Sequence, residues 1–347
     1  MKVHWTEGNA FTLLENGEDF FPAVNEAIDA AHSEVLLETF ILFDDKVGQA
    51  LRDALVRAAT RGVRVDMLVD GYGSAELGEA FISSLTSVGV GFHVFDPGTR
   101  VFGMRTNLVR RMHRKTVVVD GNVAFVGGNA KAAFVTRDNV NHPTLIEQHY
   151  RVAIRTAQRE IVIANAYFFP GYRFLRDLRR AAKRGVKVRL ILQGEPDMPV
   201  AKLAASMLYD YLLSAGVEIY EYCARPLHGK VAIADEEWST VGSSNLDPLS
   251  LALNLEANVM IRDARFTAFL RERLQVLIDQ HCTQIKPNER PRRKIYRTFI
   301  GVLVFHFLRR FPAWASSLPR HKAQLKSIKP AALPSTDEGE AHAGKTV

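Results

Sequence analysis

The segments His113-Arg-Lys115-Thr-Val-Val-Val-Asp120 and His228-Gly-Lys230-Val-Ala-Ile-Ala-Asp235 are one pattern written twice, and each reaches a glycine after six further residues. A match to His-x-Lys-x4-Asp-x6-Gly arises by chance in roughly a few of a thousand chains of this length, so two in one chain point to duplication. The repetition extends outward from the motifs. Glu34-Val-Leu-Leu-Glu-Thr-Phe40 is matched by Glu160-Ile-Val-Ile-Ala-Asn-Ala-Tyr167, and Arg61-Gly-Val-Arg-Val-Asp-Met-Leu-Val-Asp70 by Arg184-Gly-Val-Lys-Val-Arg-Leu-Ile-Leu-Gln193. Val88-Gly-Val-Gly-Phe-His-Val-Phe95 is matched in turn by Ala215-Gly-Val-Glu-Ile-Tyr-Glu-Tyr222. In each half an apolar strand precedes an amphipathic helix (residues 47–60 and 173–183), then a second strand, another helix, a third strand and the motif strand. Such alternation predicts an α/β fold built twice, each half around a parallel or mixed sheet. Halves of well over a hundred residues can bury cores of their own without disulfides.

The chemistry follows from the residue types. A neutral imidazole can attack phosphorus, and a second, protonated imidazole can hand its proton to the departing alcohol oxygen. On an extended strand, residues two apart share a face, so Lys115 lies beside His113 and Lys230 beside His228. Both ammonium groups can stabilise the charge of a five-coordinate phosphorus. By the same parity Asp120 and Asp235 point away from the lysines, and we expect them to support turns rather than move protons. No clustered carboxylate or His/Cys set with metal-ligand spacing occurs, so no metal or other cofactor is expected.

These residues resemble the phospholipase D superfamily, in which two His-Lys-Asp motifs meet between pseudo-symmetric halves. The resemblance narrows with Gly242-Ser-Ser-Asn245-Leu-Asp-Pro-Leu-Ser-Leu-Ala-Leu-Asn254-Leu-Glu256-Ala-Asn258, Ala164-Asn-Ala-Tyr-Phe-Phe-Pro-Gly-Tyr172, Gln193-Gly-Glu-Pro-Asp-Met-Pro199, Leu36-Leu-Glu38-Thr-Phe40 and Phe102-Gly-Met-Arg105-Thr-Asn107. These are similar to bacterial cardiolipin synthases of the B type, over nearly the whole chain. The resemblance implies an α/β fold of two pseudo-symmetric phospholipase-D-like halves with the active site at their interface. It also implies phosphatidyl transfer through a phosphatidyl-histidine intermediate to an acceptor such as phosphatidylglycerol, with release of a small alcohol. His113 and His228 would then be nucleophile and general acid/base, the sequence leaving open which of them attacks, with Lys115 and Lys230 on the phosphate and Ser243 and Asn245 completing its pocket. Glu256 would accept a hydrogen bond from a catalytic imidazole. The basic loop around Arg105 would meet phosphate and acyl chain. A hydrolytic phospholipase D or a nuclease with the same chemistry, and a non-catalytic lipid-binding scaffold, are the alternatives.

The expected organisation is a first half over 1–133, a second over 134–288, a basic and aromatic segment over 289–318, and a disordered tail over 319–347. The third of these carries Arg290-Pro-Arg-Arg-Lys294, the apolar run Phe299 to Leu308, and Arg309, Arg310 and Trp314. That run is too short to span a bilayer but suits a helix lying against anionic lipid. With a net charge of +7 the partner is expected to be anionic: phospholipid substrates and an acidic membrane surface rather than nucleic acid. The sequence is silent on oligomeric state. The start of the chain has no cleavable-leader pattern, and Cys223 and Cys282 read as reduced thiols, which together suggest a peripheral protein on the cytoplasmic face of the membrane.

Two departures from symmetry stand out. The first motif continues Gly127-Gly128-Asn129-Ala130, with asparagine one place early. After Asn245 the second half provides a strand (255–261) and a long helix (264–280), whereas the first half has only residues 131–141 before the next half begins. Either a strand and helix are deleted, or a stretch between about Ala130 and Phe134 is missing from this sequence. The exposed apolar face and open edge that a deletion would leave favour the second explanation. By the same symmetry Asn141 stands where an orienting carboxylate for His113 is expected.

Overall fold

The computed structural model describes residues 5–97, 100–101, 104–105, 111–125, 131–138, 143–194, 208–247, 250–251, 254–286 and 325–328. Two mixed sheets form the frame. The first contains β1 (Glu34–Thr39), β2 (Arg64–Asp70), β3 (Gly91–Phe95), β6 (Thr116–Val119), β7 (Val123–Ala124) and β16 (Leu325–Ile328), in the order β16-β3-β2-β1-β6-β7. The second contains β8 (Lys131–Arg137), β9 (Glu160–Asn165), β10 (Lys187–Gln193), β11 (Glu218–Tyr222), β12 (Lys230–Ala234), β13 (Trp238–Gly242), β14 (Glu256–Arg262) and β15 (Cys282–Ile285), in the order β15-β11-β10-β9-β12-β13-β14-β8. A short ribbon pairs β4 (Arg100–Val101) with β5 (Met104–Arg105).

The duplicated sequence becomes duplicated topology. In each sheet three parallel strands are followed by the antiparallel motif strand, β6 against β1 and β12 against β9. Helices α1 (Asn16–Asp29), α2 (Lys46–Thr60) and α3 (Glu79–Thr86) serve the first half, and α4 (Leu145–Thr156), α5 (Tyr172–Lys183) and α6 (Ala264–His281) the second. Their apolar stripes face the sheets: Leu51, Ala54, Leu55 and Ala58 of α2 pack on Val35, Leu37, Val65 and Met67, and Phe174, Leu175, Leu178 and Ala181 of α5 on Ile161, Ile163, Val188 and Leu190.

The asymmetry seen in the sequence has a physical counterpart. In the second sheet α6 covers the far face with Phe266, Leu270, Leu274 and Ile278, burying Val162, Ile191 and Ile233. Their counterparts Leu36, Leu68 and Val118 in the first sheet are only half-buried, because no matching helix lies over them among the described residues. The first sheet also stops at the two-residue β7, where the second continues through β14 and β8.

Two expected boundaries change. Strand β8 pairs with β14 along its whole length, so Lys131, Ala132 and Ala133 go with the second sheet and not the first. Leu325–Ile328, placed by composition in a disordered tail, is a strand paired antiparallel to β3, because that sheet edge offers unpaired N–H and C=O groups that even a polar segment can satisfy. The basic and aromatic segment at 289–318 lies outside the described residues. Among the described residues no helix is long and apolar enough to cross a membrane.

Candidate active site

Both motif lysines begin or just precede their strand at the end where β1, β2, β9 and β10 finish, and register sets Lys230 opposite Asn165. Lys230 is 3% exposed. Lys115 Nζ donates to the His113 carbonyl at 3.0 Å and Lys230 Nζ to the His228 carbonyl at 2.7 Å, so the two arms fold alike. Burial first, and the charge of Lys115 second, bring Lys230 down to about 7 against the raising influence of Glu256 and Asp247. Burial likewise lowers Lys115 to about 8, opposed by Glu256. Glu256 of the second half thus acts on the lysines of both motifs, and the charge of Lys115 is felt at Lys230.

Glu256 is the hub. It opens β14 in the second sheet, is fully buried, and its Oε2 lies 3.2 Å from His113 Nδ1. Sequence symmetry looked for this carboxylate at Asn141, but the structure supplies it across the interface between the sheets. A parallel bridge between Met112 and Leu255 makes the crossing: His113 N donates to Leu255 O at 2.9 Å and Leu255 N to Arg111 O at 2.7 Å. The Ser243 carbonyl also lies 3.3 Å from His113 Nδ1. Both neighbours of Nδ1 are acceptors, so Nδ1 carries a proton, and in the neutral tautomer that this favours Nε2 holds the lone pair.

The other expected residues fall as follows. Ser243 donates its hydroxyl to Glu256 Oε2 at 2.5 Å, so it braces the carboxylate here. Asn245 is buried with its Oδ1 unpartnered, a polar atom without a protein ligand. His228 is exposed at the entry to β12. Asp120 and Asp235 face away from the lysines. Asp120 accepts from the His32, Ser33 and Glu34 amides and the Ser33 hydroxyl at 2.8–2.9 Å, and Asp235 from the Gln158, Arg159 and Glu160 amides at 2.8–3.1 Å. Each aspartate sits in the left-handed region, tying the end of its motif strand to the turn before the first strand of its half. Arg105 lies in β5, its side chain outside the described residues, as are Gly127, Gly128, Asn129 and Ala130. Among the described residues no group of three or more His, Cys, Asp or Glu could hold a metal ion.

Three contributors were not singled out from the sequence. Asp70, fully buried at the end of β2, accepts from Met112 N at 2.9 Å, and Gln193, at the end of β10, accepts from Leu227 N. Each therefore anchors the residue before a motif histidine, and the aligned repeats Arg61 to Asp70 and Arg184 to Gln193 had placed them at equivalent positions. The Phe40 ring packs tilted against the His113 ring, with centroids 5.0 Å apart, and Lys115 Nζ lies 5.6 Å from the Phe40 centroid.

The chain matches the family described as "Cardiolipin synthase, PLD-like domain" over residues 24–140 and 150–278. It belongs to that family. It is 46% identical to cardiolipin synthase B of Salmonella typhimurium, covering 96% of each chain, and 30% identical to a cardiolipin synthase of Geobacillus kaustophilus over 72% of this chain and 62% of that one. Among solved structures, phosphatidylserine synthase of Haemophilus influenzae superposes with a TM-score of 0.66 over 91% of this chain and 96% of that one; at 14% identity this likeness shows the shared fold. The Salmonella comparison runs over 396 positions but takes in 96% of the 347 residues of this chain, so about sixty of those positions have no residue of this chain opposite them.

Proposed function

We propose that this chain is a cardiolipin synthase, a phospholipase-D-type phosphatidyltransferase whose site residues are His113, Lys115, His228 and Lys230, with Glu256 orienting His113. The observation that carries this reading is the meeting of both motif lysines with Glu256 in one buried site, with Glu256 reaching the histidine of the opposite half. A phosphodiester between the lysines would meet two cations and the free Nε2 of His113. In the first step His113 Nε2 attacks phosphorus, the bond to one lipid alcohol breaks, and His228 as imidazolium protonates the departing oxygen. In the second step His228 takes the proton of an acceptor hydroxyl, whose oxygen attacks phosphorus and releases His113. The Glu256 carboxylate stabilises the His113 cation formed in between. Burial lowers both lysines, Lys230 to about 7, and an anionic phosphodiester beside them favours their charged forms, which concentrates charge stabilisation on the bound state. Asn245, with its unpartnered amide oxygen, and Ser243 border this pocket; Asp120 and Asp235 support its strands.

Donor and acceptor are taken to be phospholipids, phosphatidylglycerol among them, presented at an anionic membrane surface on the cytoplasmic side, with the chain bound peripherally. The division into two halves meeting near residues 125–131 goes with this reading. The test is incubation with phosphatidylglycerol vesicles and analysis of the products. Cardiolipin and glycerol are expected, and His113→Ala and His228→Ala should each lose at least about a hundredfold in turnover. Phosphatidic acid alone would show water as the acceptor, and cleavage of DNA without lipid products would show a nuclease.

A further inference from the structure

Residues 40–47 form an unusual stretch of surface. They follow β1 at the catalytic end of the first sheet, and they hold Ile41, Phe43 and Val47 in solvent, 46%, 45% and 39% exposed. Tyr72, in the turn after β2, is exposed beside them. In the counterpart segment after β9, Phe168 is buried like Leu42, Phe169 is buried as well, and Tyr172 at the start of α5 is exposed.

The exposure is built into the backbone. Ser74 Oγ donates to Phe40 O at 3.3 Å and accepts from Leu42 N at 2.9 Å, while Thr39 Oγ1 donates to Ile41 O at 3.0 Å. Asp45 caps α2 by accepting from Val47 N at 3.1 Å and Gly48 N at 2.8 Å. A Cβ on Gly73 would meet Phe40 O at 2.1 Å, and one on Gly48 would meet Phe43 O at 1.9 Å, so both neighbouring turns are clamped against this segment. Leu42 is thereby fixed inward, 6% exposed, and the residues on either side of it point out. A chain that spends this many restraints to present two large apolar side chains to water has not merely failed to bury them.

We propose that residues 40–47, with Tyr72, are the lipid-facing rim of the site, where Ile41, Phe43 and Val47 contact the acyl chains of a phospholipid bilayer. This rests on the reading that the substrate is a phospholipid. Continuity with the site identifies the occupant. Phe40 touches the His113 ring and the Lys115 ammonium, and the next residues carry the apolar strip outward, so a lipid whose phosphate lies on the lysines has hydrocarbon-compatible surface along this path. The carboxylates in the segment do not oppose this: Asp45 is engaged by the helix terminus, and Asp44 accepts from Gln49 Nε2 at 2.9 Å.

The experiment uses the full chain and phosphatidylglycerol vesicles. Phe43→Trp should give a difference spectrum against wild type that shifts to the blue on vesicle addition and is quenched by vesicles of brominated phosphatidylglycerol. The double variant Ile41→Ser/Phe43→Ser should bind vesicles roughly tenfold more weakly in pelleting assays, the scale expected for removing two apolar side chains from a hydrocarbon contact. Val152→Ser, at an exposed apolar position on α4, should leave binding unchanged. An unshifted, unquenched signal from the introduced indole, in protein that pellets with vesicles, would overturn the proposal, as would equal binding by the double variant. Neither measurement needs turnover, so failure of the transferase reading would appear separately, as absence of cardiolipin.

Discussion

Lys230→Met should make the protein more stable while removing its activity. Burial and the neighbouring Lys115 hold Lys230 near 7 instead of the usual 10.5. The folded-state value is lowered, so the unfolded chain binds the proton more tightly and charging this lysine opposes folding wherever the unfolded chain carries the proton. Below pH 7 the opposition is fully present and amounts to about 5 kcal/mol; at pH 9 it shrinks to about 2 kcal/mol, and it vanishes near pH 10.5. Methionine fills a similar volume without charge but leaves the His228 carbonyl without its 2.7 Å donor, a loss of about 1–3 kcal/mol. The balance at pH 6 is a gain of about 2–4 kcal/mol, roughly 4–12 °C in the melting temperature of a unit of this size. At pH 9 the variant and wild type should melt together, or the variant lower. Calorimetric scans of both proteins at pH 6 and pH 9, with cardiolipin formation measured alongside, check this. A variant that melts lower than wild type at pH 6, or a difference independent of pH, would show that Lys230 is not held against its charge, and the argument from the buried lysine pair would fail.

Three further outcomes are expected. Glu256→Gln should lower transfer by about 10²–10³-fold, since His113 loses its anionic partner; because Glu256 also raises both lysines, the alkaline limb of the pH–rate profile should move to lower pH. Hydrogen bonds from the Glu34, His32 and Ser33 amides hold the Asp120 carboxyl well below its usual range, so its stabilisation is complete above the ordinary carboxylate range and disappears as the pH falls; Asp120→Asn should flatten the acid side of the stability profile measured by chemical unfolding. The intact mass of the native gene product should exceed 38.8 kDa by several kilodaltons, reflecting the strand and helix absent from the first half, and a mass matching the 347 residues would establish a true deletion.

Much of the site was legible before folding because phosphoryl chemistry demands particular residues at short spacing. His113 and Lys115, or His228 and Lys230, lie two apart in the segment that leads into the motif strand, and in each half the lysine ammonium folds back on its own histidine's carbonyl. Asp120 and Asp235 were legible by strand parity. Glu256 was partly so: its role could be named by resemblance, but not which imidazole it serves, since that depends on the Met112–Leu255 bridge between segments more than a hundred residues apart. Phe40 lies in one of the segments that carry the resemblance, but its place beside His113 was not legible; a phenylalanine after an apolar strand has many possible neighbours. Strand β16 was hidden for a different reason, because its pairing reflects an open sheet edge elsewhere and not its own composition.

The sequence by itself determined that the chain is a duplicated α/β fold, that each copy presents an imidazole and an ammonium on one face, and that one copy is shorter than the other. Those properties are periodic or local, and they survive in a linear string. Only the tertiary structure decided that Glu256 belongs to His113, that burial and the charge of Lys115 hold Lys230 low, and that residues 40–47 turn Ile41 and Phe43 outward. These depend on distances across the interface between sheets and on which faces remain covered, and no spacing along the chain encodes either.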